Sequence, residues 1–198
     1  MNRILIAAAA ALLLCGCGVT RSLEPPCSEE AVAVFPAELT GSWRIAEEAS
    51  PGEPFAGELE ITLSSADSAG RIADVQLRES GGAPWPPMLG ALFECGEKRF
   101  MILFADGGAL LKEGGYAETS GVLLQPVFLI FELAGGDAGW TAALITFVRR
   151  EGDDYVPVSE DVRLHGGALV LNDSDEQYRM LSSGAYTVAR RFTLTRAE

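Results

Sequence analysis

The stretch Leu39-Thr40-Gly41-Ser42-Trp43-Arg44-Ile45 opens the first predicted strand of the chain. It follows a brief predicted helix. Ser28 caps this helix, Glu29 and Glu30 lie in its first turn, and Pro36 ends it. Beyond this stretch the sequence is a series of short β-type runs separated by Gly, Pro and Asp clusters, with little helical periodicity. The stretch therefore marks the entry into a strand-rich domain.

The runs that follow predict about eight to ten strands. They are Ser42 to Glu47, Glu58 to Ser64, Arg71 to Glu79, Ala91 to Cys95, Arg99 to Phe104, Gly121 to Leu124 continuing at Val127 to Leu133, Trp140 to Arg149, Val162 to Leu164, Ala168 to Leu171 and Tyr186 to Thr195. A parallel sheet would need crossover helices, which the sequence lacks. We therefore predict a mainly β domain, an antiparallel barrel with short N-terminal and C-terminal helices. A two-sheet β-sandwich is the alternative, because it gives the same short alternating strands.

The motif Gly41-Ser42-Trp43, placed after a short helix at the start of a strand, resembles the calycin group, the lipocalins and their lipocalin-like relatives. Only this motif and the general strand pattern carry the resemblance. It implies a barrel that binds an apolar or amphipathic small molecule, and a late arginine that packs over the indole. Arg190 or Arg191 would fill that role here. A helix before the last strand, predicted from Asn172 through Leu181 and ended by Gly184, is also seen in lipocalins.

The central strands are apolar at consecutive positions, as in Phe100-Met101-Ile102-Leu103-Phe104. A strand with one wet face alternates instead, as Leu59, Ile61 and Leu63 do in an earlier run. We therefore expect both faces of the central strands to be covered. The covering is either a flap or helix of the chain itself, or an oligomer or membrane contact.

The N-terminus resembles a bacterial lipoprotein signal. Arg3 precedes the apolar run Ile4 to Leu14, which is too short to span a bilayer, and the lipobox-like Leu14-Cys15-Gly16-Cys17 follows. The resemblance implies cleavage before Cys17 and lipidation of this residue, and Gly18 after it suggests sorting to the outer membrane, facing the periplasm. The alternative is an ordinary secretory signal cleaved at a small-residue site nearby. We predict a signal peptide at 1–16, a lipidated tether at 17–27 and a single barrel domain at 28–198.

Charge and cysteine content limit the partners. The formal net charge of −13 repels nucleic acid and anionic membrane surfaces, so the lipid anchor alone would hold the protein at the membrane, while a basic protein partner would be attracted. Once Cys15 has left with the signal and Cys17 is lipidated, Cys27 and Cys95 remain. Two cysteines in an oxidising envelope suggest one disulfide, and two buried free thiols are the alternative.

No catalytic motif stands out, so we expect neither an enzyme nor a bound metal or cofactor. His165-Gly166-Gly167 faintly resembles an esterase oxyanion segment, but a triad would need this single histidine as its base, and a glycine turn explains it better. Asp173, Asp175 and Gln177 have the spacing of calcium-loop ligands. Tyr178 and Gly184 stand where that loop needs Gly and Glu, which favours a capped helix start.

The most distinctive loop is Gly81-Gly82-Ala83-Pro84-Trp85-Pro86-Pro87-Met88. Its tryptophan either gates an apolar ligand at the barrel mouth or plugs the barrel end. We take Trp85, Met88, Phe100, Phe104 and Phe128 as candidate ligand-binding residues. The leading hypothesis is a lipid-anchored envelope lipoprotein whose barrel binds an apolar or amphipathic small molecule. The alternative is a non-enzymatic interaction or inhibitor protein, which binds an envelope partner through its acidic or apolar surface.

Overall fold

A computed structural model describes residues 20–22, 32–48, 54–105, 127–136, 139–152, 154–160, 162–165, 168–171 and 174–197. Its elements, numbered in chain order, are β1 (Thr20–Ser22), β2 (Val32–Ala33), a 3-10 turn (Ala37–Leu39), β3 (Gly41–Glu47), β4 (Ala56–Leu63), β5 (Ile72–Glu79), β6 (Met88–Cys95), β7 (Lys98–Ala105), β8 (Val127–Gly136), β9 (Gly139–Thr146), β10 (Val148–Glu151), β11 (Asp154–Pro157), β12 (Arg163–His165), β13 (Ala168–Leu171), α1 (Ser174–Ser183) and β14 (Thr187–Arg196).

Eight of these strands form a closed barrel. From β3 to β9 each strand pairs antiparallel with the next one along the chain. The last strand, β14, pairs with both β9 and β3 and so closes the cylinder. The predicted antiparallel barrel is confirmed, and the sandwich alternative is excluded. Outside the barrel, β1, β13 and β12 extend the sheet from β8, β2 pairs with β6, and β10 and β11 form a separate hairpin.

The meander gives the barrel two different ends. The closed end carries the 3-10 turn, the β4–β5 turn at 64–71 and the short turns that follow β6 and β8. The mouth carries the β3–β4 connection, the loop at 80–87 and the segment that joins β9 to β14. In small barrels the interior is filled by alternate side chains of every strand. Here those side chains form the first core, which includes Trp43, Ile61, Val75, Leu92, Met101, Leu129, Trp140 and Leu194.

A second core lies outside the barrel, on the wall formed by β6 to β9. Phe93, Phe100, Ile102, Ile130 and Ile145 point outward and are almost fully buried. They are covered by Met180 and Leu181 of α1 and by Phe147, Val148 and Val162 of the segment before it. The consecutive apolar positions of the central strands are thus explained, because the chain's own helix and the preceding segment cover the outer face. This was one of the coverings that the sequence left open.

Several elements differ from the sequence prediction. Residues 32–36, assigned to an N-terminal helix, contain β2 and extended backbone, because Val32 and Ala33 pair with Phe93 and Leu92. The predicted strand Trp140 to Arg149 ends at Thr146, and β10 turns away into its own hairpin. Residues 20–22, which fall in the predicted tether, form β1 beside β8 and β13. The predicted segment 121–124 lies outside the described residues. Within those residues, no helix has the length and apolar character needed to cross a membrane.

Candidate functional site

The closed end of the barrel is sealed by the Gly-x-Trp motif. The indole N–H of Trp43 donates to the carbonyl oxygen of Leu39 at 2.9 Å, which ties β3 to the 3-10 turn. Arg196 lies over the same indole, 4.5 Å from the ring centroid, and donates to the carbonyl oxygens of Thr40 and Glu38 at 2.6 and 3.1 Å. The arginine that packs over the motif is therefore Arg196, and the expectation of Arg190 or Arg191 was wrong.

Some interior side chains toward the mouth are less buried than those at the closed end. Trp43 at the closed end is 1% exposed, whereas four interior side chains nearer the mouth are only partly buried, namely Ile45, Phe55, Leu77 and Phe131. These partly buried side chains pack against the first core, so the mouth is an apolar surface continuous with the interior. A ligand that enters the barrel would meet this surface first.

Phe55 is the centre of a group of rings at the mouth. Its ring meets Trp85 edge to face at a centroid distance of 6.5 Å and Phe192 at 6.2 Å. Phe192 in turn meets Phe131 at 6.2 Å. We call these four residues the mouth aromatic cluster. Edge-to-face pairs at such distances are worth about 0.5 to 1.5 kcal/mol each beyond the area they bury, so the cluster is a defined surface.

A carboxylate and a guanidinium lie beside this cluster. Glu47 is the last residue of β3, and its side chain is only 3% exposed. Its Oε2 accepts from the backbone N–H of Phe55 at 3.1 Å and from Nη1 of Arg190 at 3.5 Å. Arg190 occupies an inward position of β14, since Phe192, two residues on, is in the interior core.

The two charged groups differ in access to solvent. The side chain of Arg190 is 39% exposed, and within the described residues Glu47 is its sole hydrogen-bond partner. A guanidinium has five N–H donors in a planar fork, so most of its donors have no partner among the residues that the structure describes. The mouth therefore presents hydrogen-bond donors and positive charge to an incoming molecule, while the carboxylate stays buried behind them.

The loop at 80–87 is fixed to the barrel rim. The backbone N–H of Trp85 donates to the carbonyl oxygen of Leu77 at 2.7 Å, and the side-chain amide of Gln76 donates to the carbonyl oxygen of Trp85. Pro84 also forms a bridge with Arg78 of β5. Trp85 is partly buried against Phe55 at this rim. The indole therefore forms part of the mouth wall in a defined position.

The candidate ligand residues do not all come together. Trp85 and Met88 lie on the mouth side of the barrel, and Met88 is buried in the interior core opposite Val75. Phe100 and Phe104 belong to the second core outside the barrel. The backbone of Phe128 is in β8, and its side chain lies outside the described residues. A single interior site can thus use Trp85 and Met88 but not Phe100 or Phe104.

Sequence reasoning missed Glu47, Phe55, Phe131, Arg190 and Phe192 as components of the mouth. Their signal was present in β14, where Arg190, Phe192 and Leu194 share one face of a strand. Arg190 is the polar residue of that series, and it marks the point where the apolar inward face of β14 reaches the rim of the barrel.

Other candidate groups lie elsewhere. Asp175 and Gln177 are in α1, as a capped helix start predicts, and Asp173 lies outside the described residues. His165 pairs with Ala168 in the antiparallel pair of β12 and β13, and Gly166 and Gly167 lie outside the described residues. Among the described residues, no three His, Cys, Asp or Glu side chains are grouped so that they could hold a metal ion.

The cysteines are only partly described. Cys17 and Cys27 lie outside the described residues. Cys95 has a free thiol that is buried in the second core, and its Sγ lies 3.6 Å from the carbonyl oxygen of Tyr178 in α1. The disulfide between Cys27 and Cys95, like the lipidation of Cys17, stays a prediction.

An open cleft of about 410 Å³ lies at the closed end, between the turn that follows β6 and the last residues of β8. Its charged side chains include Glu94, Lys98 and Arg99, and Trp140 forms part of its wall. Arg99 pairs with Glu94 at 3.4 Å and stacks over Trp140 at 5.8 Å. Its charged, mutually paired walls suit an amphipathic molecule less well than the aromatic mouth does.

Comparisons of the chain with protein-family models, with curated proteins and with solved structures find no match.

Proposed function

We propose that this protein is a lipid-anchored envelope lipoprotein whose barrel mouth binds one amphipathic small molecule, without catalysing a reaction. The observation that supports this proposal most strongly is the position of Arg190 next to the mouth aromatic cluster. The rings offer an apolar surface for a tail, and the guanidinium offers donors for a head group. A site with mostly apolar walls and a few placed polar groups is the usual form of a small-molecule site.

The charges favour one class of head group. Glu47 is buried and already accepts two hydrogen bonds, whereas Arg190 is the accessible partner of the pair. A carboxylate or another anionic acceptor would form charge-assisted hydrogen bonds with the guanidinium. A cationic head group would have to displace Arg190 to reach Glu47. The ligand is therefore an amphipathic molecule with an acidic head.

Titration calorimetry with three probes of equal chain length tests this proposal. Dodecanoate, dodecanol and dodecylamine share one tail and differ in their head groups. We expect dodecanoate to bind most tightly and dodecylamine least tightly. If the amine binds best, Glu47 is the recognition group and the head-group assignment is wrong. If none of the three binds, the proposed small-molecule site is wrong.

The variant Arg190→Gln separates the head group from the tail. We expect it to weaken dodecanoate binding about tenfold, the equivalent of the roughly 1.4 kcal/mol that one charge-assisted hydrogen bond contributes. Binding of dodecanol should change little. Arg191→Gln is the matched control, because Arg191 is the next residue of β14 and is exposed. An equal loss in both variants would indicate a general charge effect rather than a site.

The alternative is a protein-binding function through an acidic or an apolar surface, and the structure argues against the apolar wall as that surface. The outward apolar residues of β6 to β9 are buried under α1 and the segment before it, so they do not offer an apolar docking face. The acidic surface remains available to such a partner, since the formal net charge of the chain is −13.

A further inference from the structure

The closed end of the barrel has two different sides. On the side of β3 and β14, Arg196 lies over the indole of Trp43 and seals the interior. On the side of β6 to β9, the open cleft of about 410 Å³ reaches the inward faces of the strands. Small-molecule sites have volumes of about 300 to 1,000 Å³, so this cleft is large enough for one small molecule.

The walls of the cleft come from inward positions on four neighbouring strands. Glu94 of β6 pairs with Arg99 of β7, and Arg99 pairs with Leu133 of β8. Trp140 of β9 lies opposite Gly135, which contributes no side chain beside the indole. Two charged side chains, a buried leucine and a buried indole thus meet in one concave surface.

The indole of Trp140 supplies a donor that lacks a partner. The residue is 5% exposed, and its Nε1–H has no hydrogen-bond acceptor among the described residues. The indole N–H of Trp43, in contrast, donates to the carbonyl oxygen of Leu39. Buried polar groups in folded proteins nearly always have a partner, which can be a bound molecule. A ligand that carries an acceptor into the cleft would provide that partner.

Arg99 is the second donor of the cleft. Its guanidinium lies 5.8 Å from the ring centroid of Trp140, and its side chain is 35% exposed. The partner in its 3.4 Å ion pair, Glu94, is 62% exposed, so solvent screens the pair and the guanidinium can shift. A ligand carboxylate could then accept from both the guanidinium and the indole. The neighbouring cation, Lys98, instead donates to Tyr186.

The carboxylates of the cleft lie further out than its donors. Glu94 and Glu97 are exposed, whereas Trp140 is buried and Arg99 is partly buried. We propose that the cleft is a second binding site, specific for a small zwitterion such as a free α-amino acid. The carboxylate of the ligand binds Arg99 and the indole N–H, and its ammonium group faces the two glutamates. This site is separate from the mouth and does not depend on the proposed function.

The indole signals of the three tryptophans give a local test. Proton–nitrogen correlation spectra of the labelled protein show one signal for each indole N–H, and Trp140→Phe identifies that of Trp140. We expect alanine to bind with a dissociation constant of about 1 mM, an ordinary affinity for so small a ligand. The proton signal of Trp140 should move downfield as its hydrogen bond forms, while those of Trp43 and Trp85 should not move.

Two further probes share the carbon skeleton of alanine but lack one of its charges. Propionate has only the carboxylate, and alaninamide has only the ammonium group. We expect each to bind about tenfold more weakly than alanine, because each loses one charge-assisted contact. Propionate that binds as tightly as alanine would show that the glutamates take no part. Alaninamide that binds as tightly would show that Arg99 and Trp140 take none. Either result overturns the assignment of a zwitterion.

The variant Arg99→Gln tests the carboxylate contact while all three tryptophans stay in place. We expect it to weaken alanine binding about tenfold. Arg149→Gln is the matched control, because Arg149 is also an exposed arginine paired with a glutamate, Glu151 at 2.8 Å, but does not line the cleft. An equal loss in both variants would mean that Arg99 does not hold the ligand.

The remaining outcomes separate this inference from the proposed function. If alanine leaves the Trp140 signal in place, the cleft is not an amino-acid site. If alanine moves the Trp85 signal instead, the zwitterion binds at the mouth and the inference drawn here is overturned. Dodecanoate binding at the mouth is measured independently, so the proposed function stands or fails on its own.

Discussion

The guanidinium of Arg196 and the indole of Trp43 face each other across the β14–β3 pair, 4.5 Å apart, at the closed end of the barrel. Gly41 makes this arrangement possible. A Cβ atom at that position would lie 2.4 Å from Nη1 of Arg196, and the φ of Gly41 is 113°, a conformation that other residues rarely adopt. The glycine of the motif thus leaves room for the side chain of Arg196, and the tryptophan packs against the guanidinium.

Replacing Arg196 should destabilise the fold. The side chain contributes a cation-π contact of about 0.5 to 2 kcal/mol and two hydrogen bonds to backbone carbonyl groups. We expect Arg196→Gln to lower the free energy of unfolding by about 1 to 3 kcal/mol. Urea denaturation measures this change, with Arg191→Gln as the exposed control on the same strand. Equal effects of the two variants would show that the Trp43 contact does not stabilise the barrel.

A single methyl group at Gly41 should have a similar effect. Gly41→Ala forces both an unfavourable φ and displacement of the Arg196 guanidinium, and we expect a loss of about 1 to 3 kcal/mol. Gly136→Ala is the matched control, since a Cβ there would meet nothing within 4 Å and its φ is not in the left-handed region. Thermal denaturation of both variants checks this prediction, and it fails if Gly41→Ala is as stable as Gly136→Ala.

The two cores should respond differently to truncation. Leu181→Ala in α1 removes a fully buried side chain of the outer core and should cost about 2 to 5 kcal/mol of stability. Dodecanoate affinity of the protein that remains folded should not change, because Leu181 lies outside the barrel.

Phe55→Leu should show the opposite pattern. It keeps an apolar side chain but removes two ring contacts at the mouth, so we expect dodecanoate affinity to fall about three- to tenfold with a smaller loss of stability. Calorimetry and urea denaturation of both variants give the comparison. Weaker binding in Leu181→Ala but not in Phe55→Leu would place the ligand site under α1.

The β4–β5 turn should make stability depend on pH through Asp67. Its Oδ1 accepts from the backbone N–H of Ala69 at 3.0 Å, and its Oδ2 accepts from those of Arg71 and Ile72. These backbone hydrogen bonds hold the pKa of Asp67 below its ordinary value in the folded state. The charged form therefore stabilises the fold above the pKa of the unfolded chain, and this contribution is lost as the pH falls through the lower folded-state pKa.

Asp67→Asn removes that dependence. An amide cannot accept at both positions, so the variant should be less stable than the parent at neutral pH. The difference should shrink as the pH falls below the ordinary aspartate pKa. Urea denaturation at neutral and acidic pH measures both quantities. A difference that stays constant across this range would mean that the ionised carboxylate does not fix the turn.

The alternation of residues predicted the barrel well where one face of a strand is wet. In β4, for example, Leu59 and Ile61 are buried while Glu58 and Glu60 are exposed, as expected. In β7 the same rule had no signal, because Phe100 through Phe104 are apolar at every position. Which residues face the barrel interior therefore depends on register, and the structure places Met101 and Leu103 inside but Phe100 outside.

The pairing of residues at the mouth follows from contacts between distant parts of the chain. Glu47 and Arg190 are 143 positions apart, and their pairing follows from closure of the barrel by β14. The choice of Arg196 over Arg190 likewise follows from the register in which Arg196 lies opposite Trp43. The local pattern of one strand shows which of its residues share a face, but not which residue of a distant strand lies opposite each of them.

The central claim is that the mouth holds an amphipathic molecule, and native mass spectrometry tests it most directly. The chain from Gly18 onward, which retains β1 and Cys27, is exported to a bacterial periplasm and purified without detergent, alongside Arg190→Gln. We predict a stoichiometric adduct with an acidic head group on the parent protein and its reduction or loss in Arg190→Gln. A parent protein with the bare polypeptide mass, which also fails to take up added dodecanoate, would contradict the account.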